Sequence, residues 1–202
     1  MQILPPATAA SARVAATVVG MPPTSDLLDA RCRLLFVGVN PGLWSAAVGA
    51  PFARPGNRFW PALFRAGVLP RLVDAREGLS EADRELVLAA GLGVTNLATR
   101  PTARAAELSD EELREGRAAL ARTVRRVDPA VVAVCGITAY RTAFDERRAR
   151  VGRQPGPFEG RPLWVVPNPS GLNAHETVDS LARAYAEPAA EAGVTGRAGP
   201  LS

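Results

Sequence analysis

The stretch that decides the fold is RLLFVGVNPGL, which occupies residues 33–43. Its first part is a continuous apolar run, which is typical of a strand buried on both faces of a sheet. The run ends in Asn-Pro-Gly, where Pro fixes φ and Gly permits unusual backbone angles. The stretch therefore predicts a buried strand followed by a tight turn that presents the side chain of Asn40 in a fixed direction.

Three further apolar runs alternate with helical patterns. The runs are LGVTNL at residues 92–97, AVVAVC at 130–135 and PLWVV at 162–166. Helices are predicted at 57–68, at 80–90 with Ser80 as a possible cap, from 109 to a stop at 128–129, from 138 to about 148, and from about 174 to 186. The segment 151–161, with three Gly and two Pro, is expected to form a loop or hairpin.

This alternation predicts an α/β fold with three layers, αβα, around a central, mainly parallel four-stranded sheet. Such sheets bind ligands beyond the carboxyl ends of their strands. We expect a flexible N-terminal tail at residues 1–25, one domain at 26–187 and a flexible C-terminal tail at 188–202. Phe59, Trp60 and Phe64 are expected in the core.

The composition restricts the chemistry. The chain has 202 residues with a net charge of +4, and all 24 basic residues are Arg. Without Lys, only the N-terminal amine could form a Schiff base. One His and two Cys are too few for a four-cysteine metal site, so we expect no metal and no cofactor. We expect Cys32 and Cys135 to be buried thiols in a reducing, cytoplasmic compartment, with no signal peptide and no membrane span.

A second Asn-Pro turn follows the last apolar run, in PNPSGLN at residues 167–173. Either turn alone would be read as a sharp connection between a strand and a helix. As a pair, the two turns place amide side chains and backbone N–H groups at the same predicted edge of the sheet. A mild positive charge also fits a polyanionic partner, although it is weak evidence alone.

The first turn resembles the active-site motif of the mismatch-specific uracil/thymine DNA glycosylases, a branch of the uracil-DNA glycosylase superfamily. The resemblance continues through PFARPGNRFW at 51–60, GVTNL at 93–97 and RPT at 100–102, and it ends in the second turn. It spans roughly residues 26–187. Four motifs that match in the same order are far harder to explain by chance than a single matching motif.

The resemblance implies an enzyme that flips uracil, thymine or ethenocytosine opposite guanine out of duplex DNA. It would hydrolyse the N-glycosidic bond as a monofunctional glycosylase of base-excision repair, acting as a monomer at the nucleoid. Asn40 would position the attacking water, Asn168 and Ser170 would face the leaving base and the nearby phosphate, and Phe52 would stack on the base. The implied residues are catalytic Asn40 and Asn168, base-binding Val39, Gly42, Leu43, Ser45 and Phe52, and DNA-binding Ser170, Gly171, Leu172 and Asn173.

Several alternatives stay open at this point. An iron–sulfur glycosylase needs more cysteines, whereas a non-enzymatic DNA- or nucleotide-binding module explains the sheet but not the paired turns. Leu172 would be a wedge in the base stack or would pack inward near Leu181. For Asn57 and Arg58 we favour a structural role over DNA contact. The roles of Trp44, Asn96 and His175 are open, and Asn96 lies where some relatives carry Lys.

Overall fold

The computed structural model describes residues 26–194. One sheet contains the strands β1 (Leu34–Gly38), β2 (Leu92–Asn96), β3 (Val131–Cys135), β4 (Gly152–Arg153) and β5 (Leu163–Val166). Their order across the sheet is β2-β1-β3-β5-β4. The pairs β1–β2, β1–β3 and β3–β5 are parallel, and β4 runs antiparallel to β5. The predicted α/β fold with a mainly parallel sheet is confirmed.

Helices connect the strands in the described part of the chain. They are α1 (Leu43–Val48), α2 (Phe59–Arg65), α3 (Glu81–Ala89), α4 (Asp110–Val127), α5 (Ile137–Phe144) and α6 (Val178–Glu191). Ser80 caps α3, because its hydroxyl accepts from the backbone N–H of Asp83 at 3.0 Å. α5 ends earlier than predicted, since Asp145 adopts the left-handed conformation.

The sheet separates two apolar cores, because successive side chains of a strand point to opposite faces. Leu34 and Phe36 of β1 belong to the core that includes α2 and α6. Leu35 and Val37 belong to the core that includes α4 and α5. The helices of each layer also pack on one another, α2 on α6 and α4 on α5. This arrangement is the predicted three-layer αβα architecture.

The sheet has one strand more than predicted. Gly152 pairs with Val165 and Arg153 pairs with Trp164 in the antiparallel ladder of β4 and β5. The strand has only two residues and no apolar alternation, so periodicity could not distinguish it from a loop. Its pairing depends on backbone hydrogen bonds at the sheet edge.

The last helix lies further along the chain than predicted. α6 begins at Val178 and continues through Pro188 to Glu191. Ala189 and Ala192 are fully buried, so packing on the sheet extends the helix past the proline. The predicted C-terminal tail therefore starts too early, since residues 188–194 belong to the folded domain. Residues 1–25 and 195–202, predicted as tails, lie outside the described residues.

The core prediction for the aromatic residues of α2 is partly wrong. Phe59 and Trp60 are buried, whereas Phe64 is 46% exposed. Phe59 and Leu63, four residues apart on one face of α2, are fully buried, whereas Phe64 lies next to the last residue of the helix and is not covered by the core. α2 is also shorter than predicted at both ends.

The two cysteines are buried and free, as predicted. Burial raises the pKa of the Cys32 thiol to about 12 and raises that of Cys135 as well, so both are neutral thiols near neutral pH. In residues 26–194, none of the helices combines the length and the apolar character that a membrane crossing requires.

Candidate active site

A cavity of about 650 Å³ opens at the carboxyl edge of the parallel strands. Gly38 of β1, Asn96 of β2, Cys135 of β3 and Asn168, just after β5, all line it. This is the edge at which parallel sheets bind ligands, and the volume is that of a small-molecule site. The residues expected from the sequence that line the cavity are Val39, Asn40, Gly42, Leu43, Ser45, Phe52, Asn168, Ser170 and Leu172.

The side chain of Asn40 is fixed by its amide nitrogen. Nδ2 donates to Thr102 Oγ1 at 2.7 Å and to the carbonyls of Arg100 and Pro41 at 3.0 and 3.1 Å. The Thr102 hydroxyl in turn donates to the carbonyl of Arg104 at 2.8 Å. Because carbonyls only accept, the NH₂ end of the amide must face them. The polar atom that Asn40 offers to the cavity is therefore Oδ1, an acceptor.

The segment that holds Asn40 is itself anchored to α4. The guanidinium of Arg100 donates to both carboxylate oxygens of Glu112 at 2.6 and 2.9 Å. This hydrogen bonding, together with the N–H of Ser109, lowers the pKa of Glu112 to about 2. The carboxylate therefore stays ionised down to acidic pH, and its bonds anchor Arg100, whose carbonyl accepts from Asn40.

The side chain of Asn168 has the opposite orientation. Its Oδ1 accepts from the backbone N–H of Ser170 at 3.0 Å, which closes the turn after β5. The group left for the cavity is Nδ2, a donor. The two Asn-Pro turns thus supply one acceptor and one donor to the same cavity.

Phe52 forms an aromatic wall of the cavity. Its ring stacks on Phe59 with centroids 4.0 Å apart and an interplanar angle of 24°. Phe52 has a φ of +55°, a conformation that costs roughly 1–3 kcal/mol in a residue other than Gly and is common at functional sites. Ser45 stabilises this segment, because its hydroxyl accepts from the N–H of Ala53 at 3.0 Å. Phe59 thus covers one face of the Phe52 ring, and Phe52 lines the cavity.

Two glycines, Gly38 and Gly42, line the cavity. A Cβ at Gly38 would lie 2.4 Å from Oδ1 of Asn96, so only Gly fits beside that amide. A Cβ at Gly42 would meet no atom within 4 Å, so this position leaves space inside the cavity. Among residues 26–194, no side chain forms a capping hydrogen bond at the N-terminus of α1, where Gly42 is the cap residue.

The loop of residues 169–176, here called the wedge loop, carries an exposed leucine. Leu172 is 63% exposed, which excludes the alternative that it packs inward near Leu181. Gly171 and Asn173 do not line the cavity. A Cβ at Gly171 would lie 2.7 Å from the carbonyl oxygen of Gly56. Nδ2 of Asn173 donates to the carbonyl of Asn168 at 3.2 Å, so this amide closes the loop.

Asn57 and Arg58 have the structural role that the sequence favours. Oδ1 of Asn57 accepts from the N–H of Phe59 at 2.9 Å, at the start of α2. The guanidinium of Arg58 donates to carbonyls of the wedge loop, among them those of Ser170 at 2.6 Å and Asn173 at 2.7 Å.

Two arginines carry free positive charge at the cavity. Arg54 and Arg104 are exposed and line it, and neither belongs to an ion pair within residues 26–194. The cavity is therefore suited to an anionic ligand.

Sequence reasoning missed several residues of the site. Thr102, Arg104 and Cys135 line the cavity and were not predicted, although Thr102 stands in the RPT motif. Trp44 also lines the cavity, and its Nε1 donates to the carbonyl of Arg76 at 2.9 Å. His175 is exposed and lies outside the cavity lining.

The fold and the site define a three-layer α/β protein with a polar cleft between two Asn-Pro turns. The model of the Uracil DNA glycosylase superfamily matches residues 25–189, and the chain belongs to this superfamily. DNA N-glycosylase activity, a hydrolysis of N-glycosyl bonds in DNA, is the general function that membership supports.

A solved structure has the same fold. It is the solution NMR structure of a provisionally assigned uracil DNA glycosylase from Methanosarcina acetivorans, with a TM-score of 0.57 and 17% sequence identity. The match covers 86% of this chain and 98% of that chain.

Proposed function

We propose that the chain is a monofunctional, mismatch-directed DNA glycosylase. It flips uracil, or thymine or ethenocytosine opposite guanine, out of duplex DNA and leaves an abasic site for base-excision repair. The observation that carries this proposal is the pair of Asn-Pro turns, which line one cavity with an acceptor at Asn40 and a donor at Asn168. The enzyme acts as a monomer on double-stranded DNA.

Asn40 positions the attacking water. A neutral amide is not a useful general base near neutral pH, so it acts through orientation and its dipole. Its Oδ1, held by the bonds of Nδ2 to Thr102 and Arg100, accepts a hydrogen bond from the water. The negative end of the same dipole stabilises positive charge on the sugar as the N-glycosidic bond breaks. The water oxygen then bonds to C1′, and its proton passes to solvent.

Asn168 stabilises the departing base. The base leaves with the electron pair of the broken bond, so negative charge develops on its ring and carbonyl oxygens. The free Nδ2 of Asn168 donates to this charge, and such a donor is worth more in a site that excludes water. Backbone groups of the first Asn-Pro turn, near Val39 and Leu43, read the pyrimidine edge, and Ser170 of the second turn faces the nearby phosphate.

Phe52 holds the flipped base. Its ring stacks on the base, which contributes on the order of 1–3 kcal/mol without selecting a sequence. Ser45 maintains this wall through Ala53, and Gly42 leaves room for the ring. Asn96 lies at the end of the cavity with an amide that can donate and accept, and it contributes to the choice of base.

Mismatch direction follows from the energy of flipping. Extrusion costs a few kcal/mol and is cheapest for a mispaired base. A catalyst without a carboxylate base acts slowly, so it excises mainly bases that spend time outside the helix. Leu172 fills the gap that such a base leaves in the stack.

The test is an excision assay on end-labelled duplexes that contain one G·U, G·T, G·ethenocytosine or A·U pair. We expect alkali-dependent breakage at uracil opposite guanine, faster than at uracil opposite adenine. Binding without breakage of any of these duplexes would instead identify a non-enzymatic DNA-binding module. Equal rates on G·U and A·U duplexes would contradict mismatch direction while leaving glycosylase activity intact.

A further inference from the structure

Arg58 connects the start of α2 to the whole wedge loop. Its backbone N–H donates to the carbonyl of Pro169 at 3.0 Å. Its Nη2 donates to the carbonyls of Ser170 at 2.6 Å and Asn173 at 2.7 Å. Its Nη1 donates to the carbonyl of Glu176. One residue thus binds four carbonyls that are spread over the full length of the loop.

The side chain of Arg58 is not held by opposite charge. Within residues 26–194 it belongs to no ion pair, and its buried Nε has no hydrogen-bond partner. A buried donor without a partner destabilises the fold. The planar guanidinium donates in several fixed directions, whereas the ammonium of Lys is a point charge on a flexible stem. The geometry of these bonds, rather than charge pairing, is therefore what Arg58 contributes.

The wedge loop also rests directly on the turn that precedes Arg58. A Cβ at Gly171 would lie 2.7 Å from the carbonyl oxygen of Gly56, so the two backbones are in contact. Leu172 follows Gly171 and lies between the anchored carbonyls of Ser170 and Asn173. An apolar side chain that is 63% exposed gains nothing by facing water. The anchors on either side keep Leu172 from turning inward.

The same residue adjoins the wall that receives the base. Phe59, the next residue, carries the ring on which Phe52 stacks at 4.0 Å. Arg58 and Phe59, which are adjacent at the start of α2, therefore connect the wedge loop to the ring of Phe52.

We propose that Arg58 is a positioning residue that preorganises the wedge loop, so that Leu172 enters the base stack without prior ordering of the loop. This inference rests on the proposed base-flipping function. It assigns to Arg58 no contact with DNA or with the reacting atoms. The effect of Arg58 on excision passes through Leu172.

A double-mutant cycle tests this route. Single-turnover excision is measured on a G·U duplex for wild type, Arg58→Lys, Leu172→Ala and the double variant. We expect Arg58→Lys to reduce the single-turnover rate of excision at subsaturating protein about tenfold. A change of this size lies within the range of coupling energies between residues of one network. In the Leu172→Ala background, Arg58→Lys should have almost no further effect. Additive losses would overturn the proposal, since they would mean that Arg58 acts independently of Leu172.

The matched control is Arg65→Gln. Arg65 joins α2 to α6 through Asp179 at 2.7 Å but does not bind the wedge loop. It should leave excision unchanged, and a loss equal to that of Arg58→Lys would overturn the specific role. If Arg58→Lys does not fold, Gly171→Ala displaces the loop from Gly56 and should be non-additive with Leu172→Ala in the same way.

Hydrogen exchange gives a readout that does not depend on activity. Arg58→Lys should speed exchange in the peptide that covers the wedge loop and leave β1 and β3 protected, whereas Arg65→Gln should not. Unchanged exchange in the wedge loop would overturn the proposal even in an active enzyme. Absence of excision by the wild type on every duplex, with the exchange result as expected, would instead count against the proposed function.

Discussion

The amide nitrogen of Asn40 donates to the hydroxyl of Thr102 at 2.7 Å, and this bond, with those to the carbonyls of Arg100 and Pro41, fixes which end of the Asn40 amide faces the cavity. The hydroxyl donates its own proton to the carbonyl of Arg104 at 2.8 Å, so toward Asn40 it acts as the acceptor. Thr102, a residue outside the two Asn-Pro turns, therefore helps to hold the proposed catalytic group in its orientation.

Thr102→Val tests this relationship, because Val keeps the shape and removes the acceptor. Loss of one hydrogen bond, worth about 1 kcal/mol, should lower the single-turnover rate of excision about fivefold with little change in DNA affinity. Thr123→Val, a half-buried position on α4 away from the cavity, is the matched control and should have no effect. A wild-type rate in Thr102→Val would show that the amide needs no such support.

Leu172→Ala separates a wedge from a core residue. Because Leu172 is 63% exposed, the substitution should change the free energy of unfolding by less than about 0.5 kcal/mol. It should nevertheless weaken binding and slow excision on duplex DNA, with a smaller effect on single-stranded substrate. Leu181→Ala on α6 is the contrasting variant, since Leu181 is fully buried and should cost about 2–5 kcal/mol. A large drop in the melting temperature of Leu172→Ala, with equal loss on both substrates, would refute the wedge role.

Arg54 and Arg104, the arginines that line the cavity and form no ion pair within residues 26–194, should determine part of the salt dependence of binding. We expect a log–log slope of about −3 to −6 for the wild type, because Arg side chains displace counterions from phosphates. Substitution of Arg54 and Arg104 together by Gln should make the slope shallower by about 2. Arg126→Gln, an exposed position in the last turn of α4 near the opposite edge of the sheet, should leave it unchanged. Equal slopes for all three proteins would mean that phosphates are contacted elsewhere.

The chain should leave an intact abasic strand. It contains no Lys, so no side-chain amine can form a Schiff base with the sugar. Borohydride added during turnover should trap no covalent protein–DNA adduct, and the product should break only after alkali or heat. A trapped adduct, or breakage without alkali, would require a different mechanism.

Much of the fold could be predicted from local sequence. The apolar runs around Phe36, Val132 and Val165 form buried strands in the structure. Strands that are covered on both faces of a parallel sheet consist of such continuous apolar runs, so the local pattern was sufficient to predict them. Ser80 was predicted as a cap from its spacing to Asp83. β4 could not be predicted, since two residues at a sheet edge depend on backbone pairing with β5.

The site was predictable where it follows a strand and less so where it depends on tertiary contacts. Asn40 and Asn168 directly follow buried strands, so their meeting at one edge follows from a parallel sheet. The bond between Asn40 and Thr102 joins positions 62 residues apart, and no local pattern encodes it. Gly171 is predicted to contact DNA, and no local pattern revealed that a Cβ there would lie 2.7 Å from the carbonyl oxygen of Gly56, so that backbone packing also requires Gly.

The most direct test of the account is single-turnover excision of uracil from a G·U duplex by wild type and Asn40→Ala, with binding measured on the same duplex. Loss of a preorganised polar group at a reacting centre typically reduces the rate by about 10²–10³. We predict such a loss in Asn40→Ala, with duplex affinity largely retained and abasic product formed only by the wild type on this time scale. An Asn40→Ala rate within about threefold of wild type, far short of that loss, would contradict the assignment of this cavity as the catalytic site.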